Sequence, residues 1–222
     1  TTSVDNSMIA SGRFGSLEEQ ALGPITDPGE MGVEDLDAMV QDIRDIEGYQ
    51  PYFDKAFEGE ITLDNILKAI ATFQRTINIL NSKFDKFIAG ENGALNEEEK
   101  FGMEVFINQG ACLACHSGAN FTDLKFHNIG VKSGDPGLMK VTGNPDDEGK
   151  FRTPGLRGIV DTAPYKHDGS YATLMDVVEF YDRGGDGHEQ TSPLIQPLGL
   201  SVAEKDALVA FMKAVSGEVP QI

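Results

Sequence analysis

Two cysteines and a histidine near the middle of the chain have the spacing that covalent haem attachment requires. Cys112, Cys115 and His116 form a Cys-X-X-Cys-His sequence. Two thiols separated by two residues can each add to one of the two vinyl groups of a haem, and the histidine that follows presents an imidazole to the iron. The sequence therefore predicts one covalent haem c, with His116 as the proximal iron ligand.

Other uses of a Cys-X-X-Cys pair fit this sequence less well. The chain has 2 cysteines in all and 4 histidines, whereas a structural zinc site normally takes four protein ligands at recognisable spacing. A redox-active disulfide of the thioredoxin type would leave His116 without a role, and no βαβ pattern surrounds the pair. A chance pair of cysteines is the remaining alternative.

The acidic composition limits the classes of partner. With 36 acidic against 18 basic residues the formal charge is −18, so we expect no nucleic-acid partner, since phosphate binding needs clustered positive charge. A basic redox protein or a small neutral oxidant suits this surface; the alternative is that acidity only keeps an exported protein soluble. No apolar run is long enough to span a bilayer. Since haem is usually attached outside the cytoplasm, we expect a mature periplasmic protein without its leader.

Apolar periodicity and capping residues predict an all-α fold joined by loops rich in glycine and proline. Ser16, Thr62, Asn96, Thr173 and Ser201 are the expected N-cap residues of five helices. A sixth, amphipathic helix is expected at about 34–47. The ranges of the other five are about 16–21, 63–73, 97–108, 173–181 and 202–215, with loops at 23–31 and 117–172.

The helix that enters the haem motif and the last helix resemble the skeleton of a class I cytochrome c domain. Gly102 in the first of these helices would let the two cross closely. We therefore expect a complete cytochrome c-like haem domain at 95–222. Residues 1–94 contain no Cys-X-X-Cys-His sequence and are expected to be part of a second, incomplete cytochrome c-like domain.

A series of short motifs occurs in a fixed order along most of the chain. They are Gly12-Arg13, Ser16-Leu17-Glu18-Glu19-Gln20-Ala21, Gly23-Pro24, Glu30-Met31-Gly32, Asn81-Ser82-Lys83-Phe84-Asp85, Phe151-Arg152-Thr153-Pro154 and Thr162-Ala163-Pro164-Tyr165-Lys166-His167-Asp168-Gly169-Ser170. Together with the haem motif, this series resembles the bacterial dihaem cytochrome c peroxidase family, including its MauG branch.

The resemblance implies two cytochrome c-like domains with one haem each. In the family the N-terminal haem reacts with peroxide and the C-terminal haem, which the motif at 112–116 matches, relays electrons. Gln20 and Glu30 match polar residues on the distal side of the peroxide-reactive haem. A carboxylate at Glu30 would accept and return a proton during peroxide cleavage; without the resemblance, Glu30 would be interpreted as a solvated loop acid.

Two departures from the family pattern concern the N-terminal region. The N-terminal Cys-X-X-Cys-His sequence is absent, so either the chain is the remaining part of a longer polypeptide or this relative has lost the peroxide-reactive haem. The family usually has Trp-Asp where this chain has Ala10-Ser11, and the chain contains no tryptophan. Electron transfer through that residue is therefore not expected here.

The second axial ligand is expected on the helix that begins near Thr173. Leu174, Val177, Val178 and Tyr181 share one face of that helix. Tyr181 matches the position where peroxidases have a methionine ligand and MauG has a tyrosine. Tyr181 is therefore the expected distal ligand. The alternative is that Tyr181 is a buried tyrosine whose hydroxyl donates to a carbonyl. In that case Met175 or Met139 is the expected ligand.

Two basic side chains are candidates for contacts to the haem propionates. His127 is expected near the haem edge, although a simple surface histidine fits equally well. Arg152 could pair with a propionate because a guanidinium matches a carboxylate. His167 is expected to make a structural hydrogen bond.

The resemblance also implies a calcium ion held partly by backbone carbonyls. Thr162 and Pro164 match two of its ligand positions, and Asn6 is a candidate for a third.

The sequence as a whole predicts a periplasmic oxidoreductase in which the haem on His116 stores or relays electrons for hydrogen peroxide reduction. The alternative is a non-enzymatic monohaem electron carrier or a haem subunit of a larger complex. The expected partners are a small redox donor protein or such a complex, with a homodimer as the candidate assembly.

Overall fold

The computed structural model describes residues 12–218, and this part of the chain is predominantly helical. Two strands of two residues each, β1 (Phe126–His127) and β2 (Phe151–Arg152), pair antiparallel. The helices are α1 (Leu17–Thr26), α2 (Leu36–Arg44), α3 (Gln50–Phe57), α4 (Leu63–Thr76), α5 (Lys83–Ile88), α6 (Glu97–Ile107), α7 (Met139–Thr142), α8 (Leu174–Asp182) and α9 (Val202–Ala214).

The described chain divides into two compact units, residues 13–77 and residues 78–218. The sequence analysis placed a domain boundary between 94 and 95, whereas residues 78–94 lie in the second of these compact units; the predicted domain assignment remains a prediction. The reason for the position of residues 78–94 is a long-range clamp: both Nη atoms of Arg157 donate to the Asp85 carboxylate, at 2.9 and 2.7 Å. These hydrogen bonds, together with the packing of Phe84 against the core of the second unit, join α5 to the unit that contains the haem motif.

The first unit consists of α1–α4 around two small hydrophobic clusters. Its buried residues are Leu17, Ala21, Ile25, Val40, Phe53, Ile61, Ile66, Leu67 and Ala71. The predicted caps Ser16 and Thr62 accept hydrogen bonds from the backbone of Glu19 and Asn65. That this unit is part of an incomplete cytochrome c-like domain remains a prediction.

Two features of the first unit differ from the sequence prediction. Helix α1 continues through Pro24, where a loop was expected, because the Asp27 backbone N–H donates to the Gly23 carbonyl at 2.9 Å and closes the turn after the proline. Helix α3 was not predicted; its buried face presents Phe53 alone, so the periodic signal is weak.

The second unit is organised by the crossing of α6 and α9. A Cβ atom built at Gly102 would overlap the Ala207 carbonyl, which confirms that Gly102 allows the two helices to approach. Asn96 and Ser201 cap these helices, as predicted. The aromatic rings of Phe84, Phe106, Phe121 and Phe211 pack edge to face around the crossing, with centroids 5.2–6.4 Å apart.

Helix α8 begins at the predicted cap Thr173, whose side chain accepts from the Asp176 N–H. It packs against α9 and buries Leu174, Val178 and Phe180. None of the helices in the described range 12–218 combines the length and the apolar character that crossing a membrane would need.

Candidate haem site

The haem motif begins just after α6 ends, in a single turn of 3₁₀ helix at Cys112–Ala114. Ala111, directly before it, has φ +50° and turns the chain out of the helix direction. The His116 N–H donates to the Cys112 carbonyl at 2.8 Å, which holds the five-residue motif compact. Both thiols are free and half-buried.

The two thiols, His116 and Tyr181 line one cavity of about 450 Å³ within the second unit. This volume lies within the range of roughly 300–1,000 Å³ that small-molecule and cofactor sites occupy. Most of the wall is apolar and comes from α6, α8, α9 and the loops between them. The apolar side chains on it include Phe106, Ile129, Val131, Phe151, Leu156, Ile159, Val177, Val178, Leu198, Leu208 and Met212.

The imidazole of His116 is oriented for binding a metal through Nε2. Its Nδ1 lies 2.8 Å from the Phe121 carbonyl oxygen, to which it donates in the Nδ1–H tautomer. That hydrogen bond leaves the Nε2 lone pair available, and a backbone partner of this kind is the usual outer contact of a metal-bound histidine. Burial lowers the pKa of His116, so the neutral form is favoured.

The thiols are held in their protonated form by their surroundings. Burial raises the pKa of Cys112 to about 12 and also raises the pKa of Cys115. Cys115 lies with Asp123 and His127 in a group whose ligand atoms are all within 4.8 Å of one another. A zinc site of the structural kind takes four such ligands and ionised thiols, so this group of three fits a structural zinc ion poorly.

The residues present fit a c-type haem. The cavity is largely apolar, both cysteines line it, and so does the His116 imidazole, whose Nδ1 atom is hydrogen-bonded to the Phe121 carbonyl. Cys112 and Cys115 would hold the porphyrin and His116 would bind the iron.

Tyr181 is the distal ligand candidate that the structure brings to this cavity. Its ring lines the cavity, and its hydroxyl has no hydrogen-bond partner among residues 12–218, unlike the hydroxyls of Tyr165 and Tyr171. Burial is the largest cause of its raised pKa, and proximity to Cys112 and Cys115 adds to the effect. Tyr181 is half-buried at the cavity wall, so its side chain is open to a ligand bound in the cavity.

The methionines predicted as alternatives, Met175 and Met139, do not line the cavity. Met175 lies on α8 but outside the face formed by Val177, Val178 and Tyr181. The methionine that does line the cavity is Met212 on α9, which also belongs to the hydrophobic core. Met212 was not among the ligands predicted from the sequence.

The two predicted propionate partners, His127 and Arg152, lie on β1 and β2 and both line the cavity. The Nε2 atom of His127 is 2.8 Å from the Asp123 carboxylate. This contact keeps the half-buried His127 ring in place. Their contacts with propionates remain predictions.

His167 makes the hydrogen bond that was expected of it, 2.8 Å from Nε2 to the Ser133 hydroxyl, and stacks on Phe151 with ring centroids 3.6 Å apart.

The two predicted calcium ligands, Thr162 and Pro164, are exposed residues at the edge of the cavity. Calcium binding there remains a prediction, and Asn6 lies outside the described residues, as do Ala10 and Ser11.

The two residues predicted for peroxide chemistry lie in the first unit. The side chain of Gln20, on α1, accepts a hydrogen bond of 3.4 Å from the Gln74 amide. Glu30 lies in the exposed turn after α1. Their catalytic roles remain predictions.

Several residues that shape the site carried no recognised signal in the sequence. Lys166 belongs to a motif in which it had no predicted role, yet it lines the cavity, and burial lowers its pKa to about 7. The carbonyl of Phe121 and the Asp85–Arg157 pair depend on long-range geometry. Asp123 could have been predicted from the sequence as a partner of His127, because the two residues are only four positions apart.

Comparison with known proteins gives a consistent result. A family sequence model described as di-haem cytochrome c peroxidase matches residues 1–93. The methylamine utilization protein MauG of Methylophilus methylotrophus is 38% identical over 217 residues, which cover 96% of this chain and 64% of MauG. The cytochrome c551 peroxidase of Nitrosomonas europaea is 35% identical over 227 residues, 99% of this chain and 64% of the relative.

A solved structure of a MauG-like protein associated with microbial copper homeostasis superposes on the chain with a TM-score of 0.87. The identity is 32%, and the match covers 94% of this chain and 71% of that one. The chain belongs to the di-haem cytochrome c peroxidase family. This confirms the resemblance inferred from the motifs.

Proteins of the di-haem cytochrome c peroxidase family contain haem and are oxidoreductases. The chain nevertheless spans less than two thirds of the length of these two curated relatives, 64% of each. The activity of the whole relatives is therefore a separate question from the chemistry of this cavity.

Proposed function

We propose that this chain is the electron-storing part of a periplasmic haem oxidoreductase that reduces hydrogen peroxide. A c-type haem supplies a one-electron Fe(III)/Fe(II) couple when it is bound. The observation that carries the proposal is the single cavity that brings together two thiols, the Nε2 atom of His116 and the unpartnered hydroxyl of Tyr181.

Each residue of the cavity would have one task. Cys112 and Cys115 would fix the porphyrin by thioether bonds, and His116 would bind the iron, with its ring held by the Phe121 carbonyl. Tyr181 would be a second iron ligand. A phenolate is a hard, anionic donor that favours Fe(III) and lowers the reduction potential, whereas a methionine sulfur raises it. A low potential suits a group that stores oxidising equivalents.

The apolar wall of the cavity would also serve the redox chemistry. A low-dielectric surrounding strengthens the electrostatic effect of each ligand and of the propionate partners on the iron. His127 and Arg152 would bind the propionates and neutralise their charge. The family's peroxide chemistry would use Glu30 to move a proton and Gln20 to orient the oxidant.

A second candidate function is supported by the motif count. The 222 residues contain 2 cysteines and hence one site for covalent haem attachment. A monohaem electron carrier, or a haem subunit of a larger complex, would need no more. Both cysteines lie in the second unit, so the first unit offers no thiol for the covalent attachment of a second haem.

Ferric absorption and resonance Raman spectra of the haem-loaded chain test the ligand assignment. We expect phenolate vibrations in the parent protein and in Met212→Leu, and their loss in Tyr181→Phe together with a higher reduction potential. Tyr52→Phe, an exposed tyrosine of the first unit, is the matched control. Unchanged spectra in Tyr181→Phe would remove the tyrosine from the iron.

Haem content per chain, measured together with peroxide consumption, separates the two functions. The enzyme hypothesis predicts that a preparation holding a second haem consumes peroxide with a reduced donor protein and depends on Glu30, so Glu30→Gln should slow the reaction. One haem per chain, with efficient electron exchange and no peroxide turnover, would support the electron carrier.

A further inference from the structure

A lysine lies against the ring of the proposed distal ligand. Lys166 lines the same cavity, and its Nζ atom is 4.0 Å from the ring centroid of Tyr181 and 3.8 Å from that of Phe180. Both distances are within the range at which an ammonium group is attracted to the face of an aromatic ring. A potential positive charge is therefore placed at the wall of the cavity, next to Tyr181.

The backbone holds Lys166 in a conformation that side chains other than glycine rarely adopt, with φ +71°. Two contacts fix it there: the Tyr165 N–H donates to the Tyr171 carbonyl at 2.7 Å, and the Gly169 N–H donates to the Lys166 carbonyl at 3.3 Å. Strained residues of this kind persist where the surroundings over-determine them, and they concentrate at functional sites. The conformation directs a long cationic side chain to the cavity wall.

The charged neighbours of Lys166 act in both directions. Burial is the largest influence and lowers the pKa of Lys166, as does the guanidinium of Arg183, whereas the carboxylates of Asp186 and Asp168 raise that pKa and favour the ammonium form. Asp186 also accepts hydrogen bonds from Tyr171 at 2.8 Å and from Arg183 at 2.7 Å, so its charge is shared within this cluster.

A cation on the face of a tyrosine discriminates between the two forms of that ring. A phenolate spreads negative charge into its ring, so an ammonium group at the ring face attracts a phenolate more strongly than a neutral phenol. A methionine sulfur or an added neutral ligand gains no comparable attraction. Lys166 would therefore change the competition among ligands for the distal position.

We propose that Lys166 is a positioning residue for the distal ligand: its ammonium group holds the Tyr181 ring and stabilises the negative charge that the Tyr181 oxygen carries when it binds the iron. The inference rests on the proposed function, in which Tyr181 is that ligand. It adds a residue that acts through Tyr181 and does not itself bind the haem.

Competition by imidazole measures this effect on the haem-loaded full chain. Imidazole is a neutral ligand that displaces Tyr181 from ferric haem, so its apparent affinity reports how firmly the tyrosine is held. Loss of a cation–π contact that lies between the exposed and the fully desolvated cases corresponds to a change of about tenfold in such an equilibrium. We expect Lys166→Met, which keeps the length of the side chain, to raise the apparent imidazole affinity about tenfold.

Three comparisons make that result specific. Lys166→Arg keeps the cation and should retain the parent affinity, and Lys140→Met removes an exposed lysine and should have no effect. In a Tyr181→Phe background, Lys166→Met should no longer change the affinity, because the coupling passes through the phenol. Haem content per chain, measured for every variant, shows that the haem is still attached.

The outcomes separate this inference from the proposed function. If Tyr181→Phe alone changes neither the ferric spectrum nor imidazole binding, the ligand assignment fails, and the Lys166 proposal fails with it. If Tyr181→Phe has its expected effect but Lys166→Met binds imidazole like the parent protein, only the role of Lys166 is overturned. An equal effect of Lys166→Met with and without Tyr181 also overturns that role.

Discussion

The two compact units place their large apolar side chains differently. In residues 78–218, aromatic rings pack around the α6–α9 crossing and further apolar residues line the haem cavity. In residues 13–77, the clusters are small, and Tyr52 and Phe73 are 75% and 48% exposed. The difference teaches that the second unit is built around a cofactor-sized space lined by two cysteines, whereas residues 13–77 contain no cysteine that could attach a haem.

Removal of both thiols should have the largest effect and should act on one unit only. In Cys112→Ala with Cys115→Ala we expect complete loss of covalent haem, since the chain has no other cysteine. Without haem the cavity wall loses its contacts, so amide hydrogen exchange should increase in peptides from 97–116 and 174–214. Exchange in residues 13–77 should not change, and an equal increase there would contradict the comparison.

The helix crossing offers the next largest effect. A Cβ at position 102 would overlap the Ala207 carbonyl, so Gly102→Ala should lower the free energy of unfolding by roughly 3 kcal/mol. Urea unfolding, followed by the haem absorption band, measures it.

Gly48→Ala in the first unit is the matched control for the helix crossing. A Cβ at Gly48 meets nothing within 4 Å, so we expect a change between zero and about 1 kcal/mol of stabilisation. Equal losses from the two substitutions would show that close helix approach is not specific to the second unit.

The Asp85–Arg157 pair should give a moderate effect that depends on pH. Hydrogen bonds from Arg157 are the largest cause that lowers the pKa of Asp85. A carboxyl whose pKa is lower in the folded than in the unfolded state stabilises the fold above its unfolded pKa of about 3.9, and this contribution is lost as the pH falls through the folded value. We expect Asp85→Asn to cost about 1–2 kcal/mol at pH 7.

The pH series is the decisive part of the Asp85 experiment. The difference in unfolding free energy between the parent and Asp85→Asn should shrink below about pH 4. A difference that stays constant from pH 7 to about pH 3 would mean that the charge of Asp85 contributes nothing.

A surface ion pair in the first unit should give the smallest effect. Glu18 and Arg75 are 2.9 Å apart, with 30% and 41% of their side chains exposed. Exposed pairs of this kind contribute roughly 0.2–1 kcal/mol, and salt screens them. Glu18→Gln should therefore change thermal stability little, and less still in high salt; a loss as large as that of Asp85→Asn would contradict the ranking.

The parts of the fold that could be predicted from the sequence depend on local signals. The helices capped by Asn96, Thr173 and Ser201 were predicted because cap and apolar period agree within one segment. The short helix α5 was missed because six residues give too little period to recognise. The division into compact units at 77–78 could not be predicted from the sequence, because the hydrogen bonds between Arg157 and Asp85 join residues 72 positions apart.

In the candidate site, too, local sequence signals could be recognised and long-range contacts could not. The haem motif is contiguous, and Tyr181 was predicted because it matches the distal-ligand position of the family on a helix face that it shares with Val177 and Val178; its role as a ligand stays a prediction. The hydrogen bond that orients His116 comes from the Phe121 carbonyl, to which the side-chain type at 121 gives no clue. The position of Lys166 over the Tyr181 ring depends on a backbone turn that the sequence did not reveal.

The intact mass of the purified chain, measured with its haem content, tests the central claim most directly. The account predicts a polypeptide carrying the mass of one haem, joined to a peptide that contains Cys112 and Cys115. An unmodified mass, with both thiols open to alkylation, would contradict it.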